Sequence, residues 1–216
     1  MCTANRCRSP MAEGLLRRLL AVSGVGASVG SAGLLPGGAP ATPDAVATMA
    51  DRHVDIRRHR SRTLDHELAT TTPLIIGMTR QHVREACASY GAPIERAFTL
   101  KELVRRGELG GGRRQGEPVA AWLDRIGAGR RPGDLVADEP ADDIADPVGR
   151  PRADYEVTAD ELEGLLRTFV ELLVGGDRPG DVAEVAYSGP ARDGRGGPGH
   201  HGDPAAGGPS TGTTGR

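Results

Sequence analysis

Near the start of the chain, Cys2 is followed after five residues by Arg8, and Arg8 by Ser9 and Pro10. Serine followed by proline is typical of the first residues of an α-helix, because the hydroxyl can cap free N–H groups and proline needs no donor there. Apolar residues then recur at helical spacing up to Gly24. The sequence therefore predicts a tight loop that runs directly into a helix N-terminus.

Short apolar runs and helical patterns alternate after this first helix. The continuous apolar run at residues 73–78 has no polar alternation, as expected for a strand covered on both faces of a parallel sheet. Strands are predicted at residues 27–31, 73–78 and 96–99, and helices after Pro43, after Thr79 and at residues 100–106. This order predicts a three-layer α/β/α fold with a short, mostly parallel central sheet.

The second half of the chain is less regular. Residues 107–118 are rich in glycine and arginine, and we expect residues 107–135 to be an insertion that decorates one domain spanning residues 1–174. A capping box at Thr158 predicts the start of an amphipathic helix. Residues 175–216 are dominated by glycine, proline and small polar residues, which predicts a disordered tail.

The composition narrows the classes of protein to be considered. Lys and Arg number 27 against 29 Asp and Glu, so net charge gives no reason to expect a nucleic-acid or membrane-surface partner. No apolar run approaches the length of a membrane span, and the N-terminal residues lack the order of a secretion signal. Three cysteines make a poor disulfide framework and fit a reducing compartment. We therefore expect a cytoplasmic protein.

The predicted loop has the chemistry of a phosphate site. Backbone N–H groups and the helix dipole favour an anion, and the planar guanidinium of Arg8 can bind two phosphoryl oxygens. The same positive field favours the thiolate form of Cys2, which is the nucleophilic form of cysteine. Spacing alone leaves open an inert cysteine near a solvated arginine.

The whole string C-T-A-N-R-C-R-S-P-M-A-E resembles the signature of the low-molecular-weight protein tyrosine phosphatases. Further motifs follow in the order that this family shows: residues 31–33, 43–46, 59–62 and 146–147, so that the resemblance covers most of residues 1–174. The resemblance implies a hydrolase that acts on phosphotyrosyl proteins, with no cofactor and no metal ion. Oligomeric state is left open.

The resemblance also implies a role for each site residue. Cys2 attacks phosphorus to form a phosphocysteine, Arg8 binds the phosphoryl oxygens, and Asp146 is the general acid. Asn5 is implied to hold the loop, and Ser9 to donate to the Cys2 sulfur. The implied phosphate-binding residues are Thr3, Ala4, Asn5, Arg6, Cys7, Arg8 and Ser9.

Some assignments stay open at this point. Asp142 and Asp143 compete with Asp146 for the acid role, and Pro147 favours Asp146 because the family has this Asp-Pro pair. Cys7 is either a reversible disulfide partner of the nucleophile, as in the family, or a small buried residue of the loop. The remaining cysteine, at position 87, is expected to be core, because it lies on the apolar side of its helix.

The chain departs from the family pattern at several positions. Ala4 stands where the family usually has glycine, and Arg6 where it has an apolar residue. Val148 and Gly149 follow the Asp-Pro pair, where relatives often present aromatic rings that wall the pocket. Tyr155 lies nearby in the sequence and offers a ring, but a packing role is favoured for it. These departures make the preference for phosphotyrosine less secure.

The family also places a buried strand immediately before the nucleophile, whereas here only Met1 precedes Cys2. We expect this first strand to be missing from the N-terminus of the sequence, and a start site further upstream is one explanation.

Two other functions remain under consideration. An arsenate reductase of the same fold uses the same oxyanion loop, although Cys87 alone remains for a thiol relay outside the loop. The altered loop positions and the missing strand also fit a catalytically impaired phosphate-binding module. Zinc chemistry has little support, because Cys2 and Cys7 have no second ligand pair at zinc-site spacing.

Overall fold

A computed structural model describes residues 1–136 and 140–175. The sheet consists of two short parallel strands, β1 (Ile75–Gly77) and β2 (Ala97–Thr99), with Ile75 opposite Ala97. The helices are α1 (Arg8–Val22), α2 (Pro43–Asp51), α3 (His66–Thr71), α4 (Arg80–Tyr90), α5 (Leu100–Gly110), α6 (Val119–Gly127) and α7 (Arg152–Val174). Within the described ranges, no helix combines the length and the apolar character needed to cross a bilayer.

Two hydrophobic clusters place helices on both faces of this sheet. The larger one joins α1, α2, α5, α6 and α7 around fully buried side chains such as Leu15, Phe98 and Trp122. The smaller one packs Val83 and Ala86 of α4 against the strands. Burial of apolar area on each side is what holds the short strands in place. The predicted α/β fold, with helices on both sides of a short parallel sheet, is confirmed.

The predicted strand at residues 27–31 is wrong. The backbone here makes only an isolated bridge at Ala27, and a cavity of about 930 Å³ separates these residues from β1. In the described ranges, Met1 and Cys2 connect β1 with the segment that ends at Ala32. The Met1 Nα atom donates to the Ile76 carbonyl, and Cys2 N donates to the Ala32 carbonyl at 3.4 Å. A segment of suitable composition becomes a strand only where a neighbouring backbone pairs with it.

The bounds of the helices differ from the predicted ones where tertiary packing extends them. The helix α5 runs on to Gly110, and α7 begins at Arg152 rather than at the capping box. Thr158 lies inside α7, where its hydroxyl donates to the Asp154 carbonyl at 2.8 Å. The first helix begins at Arg8, so Ser9 is not its cap and its hydroxyl is available to the loop.

The region predicted to decorate the fold contributes to the core. Trp122 of α6 is fully buried and stacks on Phe169 of α7 at 6.3 Å between ring centroids. Arg113 is buried and donates from Nε to the Leu173 carbonyl at 2.8 Å. Whether residues 107–135 are an insertion relative to the family stays a prediction, as does the domain boundary at 174. Beyond Gly175, the predicted tail lies outside the described residues.

Candidate active site

The loop that carries Cys2 is shaped by a close approach of backbone. A Cβ atom at Gly33 would lie 2.7 Å from the Thr3 carbonyl oxygen and 2.8 Å from Asn5 N, so only glycine fits. Asn5 has a positive φ of 52°, a conformation that asparagine tolerates better than most residues. The loop therefore turns tightly into α1, as the sequence predicts.

A chain of side-chain hydrogen bonds fixes the loop beneath Cys2, the candidate nucleophile. The Asn5 amide nitrogen donates to Ser9 Oγ at 2.9 Å and to Ser31 Oγ at 2.7 Å, while its oxygen accepts from Arg62 N at 2.9 Å. Ser9 Oγ lies 3.0 Å from Cys2 Sγ. Asn5 therefore joins the loop to Ser31 and Arg62, while the supporting roles of Asn5 and Ser9 in catalysis stay predictions.

Arg8 connects the loop to the segment that carries the aspartates. Arg8 is 5% exposed. Its Nη1 donates to the Ile144 carbonyl at 2.9 Å, and its Nη2 pairs with Asp146 Oδ2 at 2.6 Å. The third donor, Nε, is buried and has no hydrogen-bond partner. A buried donor without a partner is costly, so this atom is poised to bind an anion.

Cys7 differs from Cys2 in its surroundings. Burial, and then the negative charges of Asp146 and Cys2, raise the pKa of the Cys7 thiol to about 12. At neutral pH this thiol is protonated, which makes it a poor nucleophile. Cys2, Cys7 and Cys87 are all free thiols in this structure. The reversible disulfide between Cys2 and Cys7 therefore stays a prediction.

The three candidate aspartates have different environments. The Asp146 side chain is 48% exposed and contacts Arg8, whereas Asp142 is fully buried and pairs with Arg80 at 2.8 Å and with Arg105. The Asp143 carboxylate accepts from the backbone N–H of Arg80 at 2.8 Å. Asp142 and Asp143 therefore anchor the segment, and Asp146 alone of the three faces the loop arginine.

The Asp142 carboxylate is the centre of this anchor. Burial raises its pKa, but hydrogen bonds from Arg105 and Arg80 outweigh burial, and the net pKa lies below its usual range. Ile144 continues the attachment, because its N–H donates to the Met78 carbonyl at 2.8 Å. The segment that carries Asp146 is thus tied to α4, α5 and the end of β1.

We expect Asp142→Asn to lower the free energy of unfolding at pH 7 by about 2 kcal/mol, because two arginines lose a charged partner. The loss is not larger because Arg105 is half exposed to solvent. The lowered pKa means that this stabilisation is present above about pH 4 and is lost as pH falls below it. Urea unfolding at pH 7 and at pH 3 measures it. Asp124→Asn, an exposed position on α6, is the control. Equal stability of the two variants at pH 7 would contradict the anchor.

A histidine that the sequence analysis did not single out also contacts the loop. His82 Nε2 lies 3.0 Å from Thr3 Oγ1, and its Nδ1 lies 2.7 Å from Thr79 Oγ1. Burial, the N-terminal ammonium group and Arg8 lower the pKa of His82 to about 3, so the ring is neutral at physiological pH. Its position on α4 follows from tertiary packing, and nothing in the local sequence indicates the contact with Thr3.

The mouth of the site has no aromatic wall among the described residues. Val148 is 54% exposed, and Gly149 has a positive φ of 79°. Tyr155 is 2% exposed and belongs to the larger hydrophobic cluster, so its packing role is confirmed. The other described aromatic residues, Tyr90, Phe98, Trp122 and Phe169, pack in or against the two clusters.

Comparison with known proteins agrees with this geometry. The sequence model of the family described as low molecular weight phosphotyrosine protein phosphatase matches residues 1–110, about half of the chain. The chain belongs to this family. It is therefore a phosphatase with the α/β fold of the family, whose members use a phosphocysteine intermediate.

Relatives of the chain carry two kinds of name, and they align over different lengths of it. A protein-arginine-phosphatase of Bacillus subtilis is 33% identical over 175 residues, which cover 80% of this chain and 93% of the relative. A probable low molecular weight protein-tyrosine-phosphatase, EpsP of Ralstonia solanacearum, is 38% identical over 104 residues, or 48% of this chain and 69% of the relative.

Solved structures of the family superpose on most of the chain. A YwlE arginine phosphatase, in a cysteine-to-serine mutant whose active-site serine is phosphorylated, has a TM-score of 0.60 at 30% identity and covers 82% of this chain and 94% of its own. A low molecular weight protein tyrosine phosphatase from T. tengcongensis also has a TM-score of 0.60 at 30% identity, with 80% and 95% covered.

Proposed function

We propose that this phosphatase hydrolyses phosphorylated side chains of proteins, with Cys2 as nucleophile, Arg8 as phosphate ligand and Asp146 as general acid. The observation that carries the proposal is the position of Arg8. Its buried guanidinium lies in the loop of Cys2, contacts Asp146 at 2.6 Å and keeps an unpaired donor. One group therefore links the nucleophile loop, the acid and an anion site.

In the first step the Cys2 thiolate attacks phosphorus, a sulfur–phosphorus bond forms, and the bond to the leaving oxygen or nitrogen breaks. Asp146 donates its proton to the leaving atom, which departs neutral. The backbone N–H groups of the loop and the guanidinium of Arg8 bind the non-bridging oxygens, where negative charge is held. The exposed side chain of Asp146 can reach a leaving group at the mouth of the loop.

In the second step water attacks the phosphocysteine. Asp146, now a carboxylate, takes a proton from this water; the sulfur–phosphorus bond breaks, and inorganic phosphate forms. The Ser9 hydroxyl, 3.0 Å from Cys2 Sγ, can donate to the departing sulfur and stabilise the regenerated thiolate. A phosphate dianion in the loop competes with Asp146 for Arg8, which leaves the Asp146 carboxylate free to exchange protons.

Two substrate classes follow from the relatives. Phosphotyrosine on a protein is the first, because the family and several relatives are named for it. Phosphoarginine is the second. One reason is that the protein-arginine-phosphatase of Bacillus subtilis aligns over 80% of this chain. The other is that no aromatic ring of the described residues lies at the mouth of the site to stack on a phenyl group.

The test compares two peptides that differ only in the phosphorylated residue, one carrying phosphotyrosine and the other phosphoarginine, with p-nitrophenyl phosphate as a small reference substrate. We expect phosphate release that a chelator such as EDTA does not reduce. The larger kcat/KM identifies the substrate class. No release from any of the three by folded protein would refute the proposal, and turnover of arsenate with a small thiol would then favour an arsenate reductase.

A further inference from the structure

An arginine-rich segment lies against the candidate phosphate loop. Residues 57–62 read Arg-Arg-His-Arg-Ser-Arg, and Arg58, Arg60 and Arg62 are exposed. With Arg6 of the loop itself, these three residues form what we call the arginine rim. The mechanism proposed above uses none of their side-chain charges.

Backbone and side-chain contacts fix Arg6, Arg60 and Arg62 beside the loop, and Arg58 directly precedes His59, whose ring also contacts the loop. His59 Nε2 lies 2.7 Å from the Asn5 carbonyl oxygen, and the Arg62 N–H donates to the Asn5 side chain at 2.9 Å. Arg60 pairs with Pro40 in an antiparallel bridge, and Arg6 Nε donates to the Pro40 carbonyl at 2.9 Å. The rim is therefore adjacent to the residues that shape the phosphate site.

In the described ranges the arginines of the rim form no ion pair, although the charge of Arg58 also acts on the carboxylate of Asp55. Arg6 and Arg62 donate to backbone carbonyls, Arg60 donates to the His59 carbonyl, and no carboxylate pairs with any of the four rim arginines in the described ranges. The adjacent Arg57, in contrast, pairs with Asp55 at 2.8 Å. Four arginines without an ion pair in the described ranges thus belong to the loop or to the segment beside it, on a chain whose formal net charge is −2.

We propose that the arginine rim binds acidic residues that flank the phosphorylated residue of the protein substrate. This proposal rests on the proposed function and adds a sequence preference to it. An extended peptide advances about 3.3 Å per residue, so side chains a few positions from the phosphorylated residue reach beyond the loop. Exposed arginines bind carboxylates there with modest energy each, and several together discriminate.

Binding tests this preference without turnover. Two phosphotyrosyl peptides, one flanked by glutamates and the other by glutamines, are titrated into full-length Cys2→Ser protein, with or without Arg58→Gln and Arg60→Gln. We expect the acidic peptide to bind tighter at low salt, and the double replacement to reduce that preference about fivefold. Raising the salt concentration should have the same effect. Arg114→Gln with Arg131→Gln removes equal charge from exposed positions outside the rim and should leave the preference intact.

Hydrolysis of p-nitrophenyl phosphate separates this proposal from the proposed function. With Cys2 restored, the Arg58 and Arg60 variant should keep the kcat/KM of the unmodified protein on this substrate, which has no flanking residues for the rim to bind. If folded protein is inactive on this substrate and also on both phosphopeptides, the proposed function is refuted, and the binding experiment still decides the role of the rim. An acidic preference that is absent, or that survives the double replacement, overturns the rim proposal. The rim proposal is also overturned if the Arg58 and Arg60 variant binds the acidic peptide as before and loses affinity only for single-stranded DNA or anionic vesicles.

Discussion

Replacing Cys2 with serine is expected to abolish hydrolysis of p-nitrophenyl phosphate, lowering kcat by a factor on the order of 10⁴ to 10⁶. A serine hydroxyl is a far weaker nucleophile than a thiolate, and the loop offers no base to activate it. The substitution is nearly isosteric, so the contact with Ser9 and the fold should remain. Stopped assays of phosphate release on freshly purified protein measure the loss.

The matched control for this prediction is Cys87→Ser. Burial raises the pKa of the Cys87 thiol, and this residue lies on α4, where it packs against the smaller hydrophobic cluster. We expect its replacement to leave kcat unchanged. If Cys2→Ser retained turnover within tenfold of the unmodified protein while folded, Cys2 would not be the nucleophile.

Asp146→Asn is expected to lower kcat by a factor on the order of 10² to 10⁴ for substrates with a poor leaving group, because asparagine cannot protonate the departing atom. The loss should be smaller for p-nitrophenyl phosphate, whose nitrophenolate leaves without much help. Phenyl phosphate and p-nitrophenyl phosphate, measured side by side, give the two values. The pH dependence of kcat should also lose the limb that reports the general acid.

Asp142→Asn provides the comparison that separates catalysis from anchoring. It should reduce stability, through the loss of its contacts with Arg80 and Arg105, whereas Asp146→Asn should have little effect on stability because its side chain is half exposed. Equal losses of kcat for the two leaving groups in Asp146→Asn would show that this carboxylate positions the loop rather than donating the proton.

Local sequence predicted much of the scaffold. The loop before α1, the strands β1 and β2 and the cap of α4 at Thr79 all follow from signals within a few residues: a Ser-Pro start, an unbroken apolar run and a hydroxyl before a helix. The loop residues Cys2 and Arg8 were also identified from local spacing and motif. Such signals can be recognised in the sequence because the interactions behind them are between residues that are close together in the chain.

Sequence reasoning failed where an element depends on distant partners. Residues 27–31 have a strand-like composition but no backbone that pairs with them over their length. Trp122 belongs to a region predicted to decorate the fold, yet it is buried against Phe169. Neither result could be read locally, because pairing and burial are decided by the segments that pack alongside.

By itself, the sequence determined the candidate phosphate loop, the strands β1 and β2 with the helices that follow them, and the chemical type of each candidate group. Only the tertiary structure brought Asp146 to Arg8 across 138 positions of sequence and His82 to Thr3 across 79. Local propensity fixes backbone conformation over a few residues at a time. The relative position of an acid, a guanidinium and a thiol is instead set by the packing of α4, α5 and α7 against the sheet, which no local signal encodes.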